Sequence, residues 1–201
     1  MDISLTRSLF YGSQVCLAPI QPEQDAEVES RWTHDPEYLR MFGFPLIVPL
    51  SPTHVKKNYE QLEKIGDQGK NRLYFTIRLL PDERLLGFAK IYSISWSHSV
   101  GRLQLGIGDP SDRGKGYGGE ALRLVLRYAF DEINLYRLSV MIPEYNQPGL
   151  HLLEKAGFQV ELRQRQVLHR DGRRWDILGL GLLRSGWMQS EGMNLGVRGD
   201  L

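Results

Sequence analysis

The sequence predicts a mixed α/β domain built on a mostly antiparallel sheet of about seven strands with flanking helices. Three observations predict it. Strand-like runs follow one another quickly between residues 73 and 107, the first two joined by Pro81-Asp82-Glu83, which favours an antiparallel hairpin. From Arg102 to Ile142 a strand, a glycine-rich turn, an amphipathic helix and a second strand succeed each other, the order of a single βαβ crossover. Near the C-terminus two long strand-like runs flank His169-Arg170-Asp171-Gly172, where Asp-Gly supplies a hairpin turn.

The elements follow in order. Gln14–Ile20 (QVCLAPI) reads as a strand, and Pro22 opens a helix over Glu23–His34, since proline is favoured in a first turn. Residues 41–50 (MFGFPLIVPL) are apolar but broken by Gly43, Pro45 and Pro49, so they read as a loop carrying hydrophobic side chains. Ser51-Pro52-Thr53 starts another helix reaching about Ile65. Strands are expected at Leu73–Leu80, Leu85–Trp96 and Arg102–Ile107, the last alternating Leu103, Leu105 and Ile107 with polar or small neighbours. Leu122, Val125, Leu126, Ala129, Phe130 and Ile133 form one helical stripe. Arg137–Ile142 alternates as a strand, and Asn146-Gln147-Pro148 caps a short helix through Ala156 that Gly157 stops. Phe158–Leu168 and Arg173–Leu183 complete the last hairpin. The division expected is an N-terminal extension (1–13), one domain (14–184) and a flexible tail (185–201), poor in periodicity.

Composition limits the function classes. A chain of 201 residues with 41% hydrophobic and 24% charged residues suits one globular domain. A formal net charge of +1 gives no global drive toward nucleic acid or a membrane surface. Cys16 alone excludes an internal disulfide and a cysteine-based zinc site, and its apolar–polar surroundings read as a buried strand thiol, so no metal is expected. No apolar run approaches the roughly 20 residues of a membrane span. The N-terminus lacks the order of a signal peptide, so a cytoplasmic setting is expected.

The stretch Asp112-Arg113-Gly114-Lys115-Gly116-Tyr117-Gly118-Gly119 carries the most functional information. Glycines at a strand-to-helix turn let backbone N–H groups reach a ligand, and the helix N-terminus adds a positive field, so the device suits a phosphate. Several readings compete. Gly114-x-Gly116-x-x-Gly119 also fits a dinucleotide fingerprint, but the acidic residues at the required spacing, Asp131 and Glu132, end the helix and do not follow a strand. A Walker-type loop is excluded, because Gly116 follows Lys115 where a hydroxyl must bind magnesium. A plain connection with solvated cations is the remaining structural reading.

Residues 112–118 resemble the acetyl-CoA loop of the GNAT superfamily of N-acetyltransferases. Asn146, followed by Leu152-Leu153-Glu154-Lys155-Ala156-Gly157-Phe158, resembles that family's Asn–helix–Glu-Lys-x-Gly-Phe segment, and the hairpin His169–Trp175 with Asp176 fits its last strand pair. The resemblance spans roughly residues 14–184 and points to the branch with ribosomal-protein N-terminal and spermidine acetyltransferases. It implies a GNAT-like sheet whose fourth and fifth strands splay apart. It implies that backbone N–H groups of Arg113, Gly114, Lys115, Gly116, Tyr117, Gly118 and Gly119 hold the coenzyme A diphosphate, with Arg113 and Lys115 side chains adding charge. It implies that the end of the fourth strand, Leu105-Gly106-Ile107-Gly108, carries a bulge and that its free amides bind pantetheine and polarise the thioester. Asn146 would bond the pantetheine arm, a role compatible with capping its helix.

The implied activity is transfer of an acetyl group from acetyl-CoA to a primary amine by direct attack on the thioester. Many relatives place a tyrosine seven residues after the asparagine to protonate the thiolate; here that position is Leu153. Either another group or water protonates the sulfur, or the protein is a non-catalytic acyl-CoA sensor. Glu144, ending the fifth strand, is the candidate base. His151 and His98 read as surface histidines, and Tyr92 and Tyr145 as packing residues. The acceptor end is shaped by the apolar loop Met41–Val48, with few carboxylates nearby beyond Asp35, Glu37 and Glu60. That favours a peptide N-terminus or an amine with an apolar body over a polyamine, although the loop also suits a lid or a homodimer contact.

Overall fold

The computed structural model describes residues 8–43, 46–69 and 71–189. The elements are β1 (Val15–Ala18), α1 (Pro22–Thr33), α2 (Pro36–Arg40), α3 (Pro52–Gly69), β2 (Leu73–Leu79), β3 (Leu85–Ser95), β4 (Val100–Ile107), α4 (Tyr117–Arg127), β5 (Arg137–Pro143), α5 (Gln147–Lys155), β6 (Gln159–Arg170) and β7 (Arg173–Leu183). A last helical turn, α6, covers 184–189. The strands form one seven-stranded sheet in the order β1-β2-β3-β4-β5-β7-β6. Every neighbouring pair is antiparallel except β4/β5. The mixed sheet with one crossover is the predicted fold.

Strand alternation divides the chain between two layers. Ile77, Ala89, Ile91, Leu103 and Leu138 face α4, whose stripe of Leu122, Val125, Leu126, Ala129 and Phe130 is buried in the same core. The other face carries Phe88 and Leu85 under Trp32 and Tyr38 of α1 and α2. Nearby, Ala26 of α1 meets Val55 and Tyr59 of α3. A π-helical turn, Tyr128–Glu132, ends α4 and delivers Leu135 to the core.

A buried ion pair fixes α1 to the sheet. Arg78 on β2 donates to both oxygens of Asp25 at 2.9 and 2.8 Å, and the side chains are 4% and 1% exposed. Asp25 also accepts from the Gln21 N–H at 2.6 Å, and Arg78 donates to Glu83 O at 3.2 Å, so both charges are further hydrogen-bonded.

Two stretches depart from expectation. The helix α2 was not anticipated; Asp35 caps it, its side chain accepting from Glu37 N at 2.9 Å, and Pro36 starts it. The expected loose tail begins with α6, because Trp187 is 5% exposed and packs 6.2 Å from the Phe130 ring centre; residues 190–201 lie outside the described residues. Of the N-terminal extension, 8–13 are described. Phe10 packs on Phe75 and Tyr128, and Ser13 and Gln14 donate backbone N–H groups to Glu120 in the first turn of α4. Among the described residues no helix is long and apolar enough to cross a membrane.

Candidate active site

The gap between β4 and β5 comes directly from their pairing. They are hydrogen-bonded only at Val100↔Arg137, Gly101↔Leu138 and Arg102↔Ser139. Beyond these pairs β5 stays paired with β7 up to Pro143, while β4 stays paired with β3 up to Ile107. The facing edges therefore diverge without a strand partner, leaving backbone groups free for a ligand. A cavity of about 70 Å³ occupies the opening, walled by Leu103, Gln104 and Leu105 on one side, Val140 and Ile142 on the other, and closed by Phe42 and Asn146.

The expected bulge at Leu105–Gly108 is not there. Gly106 pairs in register with Phe88, and the β3/β4 irregularity lies between Tyr92 and Ser95, near the start of β4. No inserted residue is needed, since loss of β5 pairing opens the gap. The glycines serve close approach by aromatic rings instead. A Cβ at Gly106 would collide with Phe42, and one at Gly108 with the Trp32 indole.

The turn after β4 leads through a short 3-10 helix, Pro110–Asp112, into α4. Gly114 and Gly116 have φ of 76° and 91°, the left-handed region that favours glycine, and a Cβ on either would meet open space. Gly116 is the N-cap of α4 and supplies no side-chain cap. None of the N–H groups of Gly114, Lys115, Gly116, Tyr117 and Gly118 donates to another described residue. At Gly118 and Gly119 a Cβ would meet neighbouring side chains only at 3.6 Å or beyond, so the protein's own packing does not demand glycine there. The result is an unshielded row of donors on a helix N-terminus, an arrangement that suits an anion.

The side chains singled out from the sequence fare differently. Arg113 is turned back onto the protein, donating to Gly108 O at 2.7 Å, Asp35 at 3.2 Å and Glu37 at 3.4 Å. It ties the turn to α2, so its guanidinium is engaged within the chain. Lys115 is half-exposed, with Nζ 3.6 Å from Asp112. Asn146 caps α5, its Oδ1 accepting from Gly149 N at 3.0 Å, while Nδ2 donates to Met41 O at 3.0 Å; it also lines the cavity. Glu144 accepts from Asp176 N at 2.9 Å through one oxygen and from Arg163 at 3.2 Å through the other. Both oxygens of Glu144 are thus engaged in a clamp from the end of β5 onto β6 and β7. Leu153 is buried in the core and lines the cavity, offering the sulfur no proton. His98 and His151 are exposed, and Tyr145 packs edge-on against Trp175 while donating to Arg40 O at 2.6 Å.

Sequence reasoning missed the wall opposite the loop. Trp32, Tyr38, Phe42, Phe88 and Tyr74 form a continuous aromatic train, with neighbouring ring centres 5.3 to 5.8 Å apart. Beneath it Tyr59 donates to Glu29, whose carboxyl is raised above its usual range by burial. Lys90, opposite Gln104 on β4, lies over the Phe88 and Tyr92 rings, and burial followed by the Arg72 charge lowers its pKa. Apolar residues in the loop 41–48 were the available signal for Phe42; Glu29 and Lys90 carried none, because only the tertiary fold buries them.

The turn is braced by Asp112. Arg84 donates to both of its oxygens at 2.6 and 3.0 Å, and these hydrogen bonds hold the Asp112 carboxyl below its usual range. The folded carboxyl is thus more acidic than the unfolded one, whose value is near 3.8. Its stabilisation is present above that pH and is lost as pH falls through the folded value. Urea midpoints measured from about pH 6 to about pH 2 should fall less steeply for Asp112→Asn than for the parent chain. Parallel curves would show that the brace contributes nothing.

A splayed parallel pair, an amide-rich turn at a helix N-terminus and a capping asparagine on the next helix together form a cleft bordered by free backbone donors, the architecture of an acyl-transfer fold. Comparison with known proteins agrees. The sequence profile of the acetyltransferase (GNAT) domain matches residues 14–159, and the chain belongs to this family. It is 28% identical over 174 residues to the uncharacterized N-acetyltransferase YokL of Bacillus subtilis, covering 86% of this chain and 92% of that protein. It is 28% identical over 141 residues to the spermidine N(1)-acetyltransferase of Escherichia coli, covering 70% and 66%. Among solved structures, the spermidine N-acetyltransferase of Vibrio cholerae in complex with CoA and spermine superposes with a TM-score of 0.75 at 20% identity, covering 88% of this chain and 99% of that one. The ribosomal-protein-S5-alanine acetyltransferase of Vibrio fischeri gives 0.73 at 18%, covering 89% and 97%.

Proposed function

We propose that this acetyltransferase moves an acetyl group from acetyl-CoA to the α-amine of a peptide, with the coenzyme along the β4/β5 opening. The observation that carries this reading is the row of unused N–H groups from Gly114 to Gly118 placed beside the diverging edge of β4. In this reading those amides hold the diphosphate, and Lys115 adds charge. Leu105, Gly106 and Ile107 receive the pantetheine arm and thioester, and Asn146 borders it. The amine nitrogen attacks the thioester carbonyl, the oxyanion is met by backbone donors of β4, and the C–S bond breaks to release the thiolate. With Leu153 at the tyrosine position and Glu144 engaged, water takes the proton from the amine and returns one to sulfur.

Charge supports this acceptor. A polyamine requires unpaired carboxylates. Asp35 and Glu37 are paired with Arg113, Asp25 with Arg78 and Glu23 with Lys56. Leu46 and Val48, by contrast, are exposed on the loop after Gly43. Paired acids on α1 and α2 beside exposed apolar side chains suit a peptide with an apolar N-terminal residue, with Glu60 of α3 an exposed carboxylate. Acetyl-CoA mixed with tripeptides of varied first residue, spermidine and small amines, with free thiol followed, tests this. Thiol release should be fastest with apolar-start peptides. Release only with spermidine would overturn the acceptor, and coenzyme binding without release from any amine would identify a sensor.

A further inference from the structure

We propose that the Phe42 ring limits the acyl group to acetyl, making this residue the length gate of the coenzyme cleft. The inference rests on the placement of the thioester beside Leu105–Ile107 argued above. The ring reaches the backbone of β4 where a side chain would otherwise stand, with its Cε1 atom 3.0 Å from the position of a Cβ on Gly106. It thus borders the cavity at the point where an acyl chain lengthening from the thioester must run.

The ring has little freedom to move aside. It meets Tyr38 edge-on at 5.3 Å between centres and Phe88 at 5.4 Å, while Phe88 stacks on Tyr74 at 5.8 Å. Tyr38 is 3% and Phe88 8% exposed, so the backing layer is itself closely packed. The main chain on both sides of the ring is strapped down. Tyr145 donates to Arg40 O at 2.6 Å, Asn146 to Met41 O at 3.0 Å and Arg170 to Gly43 O at 3.1 Å, and Arg40 pairs with Asp171 at 3.0 Å. These straps come from the β5–α5 connection and the β6–β7 hairpin, so the gate is referenced to the strands that form the cleft. A longer acyl chain must displace an aromatic ring from a pinned segment, which a close-packed wall resists.

The test is calorimetric titration of the full chain with CoA, acetyl-CoA, propionyl-CoA and butyryl-CoA, repeated for Phe42→Ala and, because alanine removes a large packed ring, for Phe42→Leu. The readout is the ratio of butyryl-CoA to acetyl-CoA dissociation constants, which a uniform loss of affinity leaves unmoved. For the parent chain butyryl-CoA should bind roughly 10-fold or more weakly than acetyl-CoA. In Phe42→Ala the ratio should approach one, with Phe42→Leu between. Equal affinity of the parent chain for both, or an unchanged ratio in both variants, overturns the gate while leaving the coenzyme reading intact. Absence of binding by CoA and all its acyl forms overturns the coenzyme reading and the gate with it.

Discussion

Gly116→Asp lowers the affinity for acetyl-CoA by roughly 30-fold or more, and Gly116→Asn lowers it far less. Gly116 caps α4 at φ 91°, and the space where a Cβ would stand is open. Asparagine and aspartate both tolerate this left-handed backbone better than other residues, so the two variants share shape and strain. They differ in one negative charge at the mouth of a site proposed to hold a diphosphate. At an effective dielectric of about 20, two unit charges about 8 Å apart repel by about 2 kcal/mol. The measurement is titration of both folded variants at low and high salt. The gap between them should narrow as salt screens it. Equal affinities for the Asp and Asn variants would place the diphosphate elsewhere.

Arg78→Ala removes about 3–5 kcal/mol of stability. The side chain is 4% exposed and its partner Asp25 1%, so truncation strands a carboxylate in the layer between α1 and β2. Asp25→Ala has a comparable effect, since it leaves Arg78 charged and also orphans the Gln21 N–H. The double variant Asp25→Leu with Arg78→Met should recover most of the loss, because an apolar pair of similar volume avoids desolvation altogether. Against a typical total of about 5–15 kcal/mol, each single change removes a large share. Urea unfolding of the four proteins measures the two losses and the recovery directly. A parent and Arg78→Ala differing by less than about 1 kcal/mol would show the pair to be open to water.

The sheet was legible because each strand obeys a local rule. Alternation marked Leu103, Leu105 and Ile107, and Asp171-Gly172 marked the last hairpin, where both residues have positive φ. The stripe from Leu122 to Phe130 placed α4 correctly against the core. The helix α2 escaped notice because a single turn has no periodicity to read, although Asp35-Pro36 was an available capping signal. The glycine-rich turn was legible for a similar reason: Gly114 and Gly116 are glycine because the backbone there requires it. Side-chain roles were not. Arg113 and Glu144 lie in the expected places but spend their charges on Asp35, Glu37, Arg163 and Asp176, partners 19 to 78 residues distant in the chain. Phe42 comes to border the cleft, and Glu29 to meet Tyr59, only after three helices fold onto one face of the sheet.

The most direct test of the coenzyme site is a ¹⁵N amide spectrum of the chain titrated with CoA. The account predicts that the Gly114, Gly116 and Gly118 amides shift most, as new acceptors reach N–H groups that have none among the described residues, together with Leu105–Ile107 on the edge of β4 that β5 leaves unpaired. Binding that leaves those amides in place and moves others, or a titration that moves none, would contradict it.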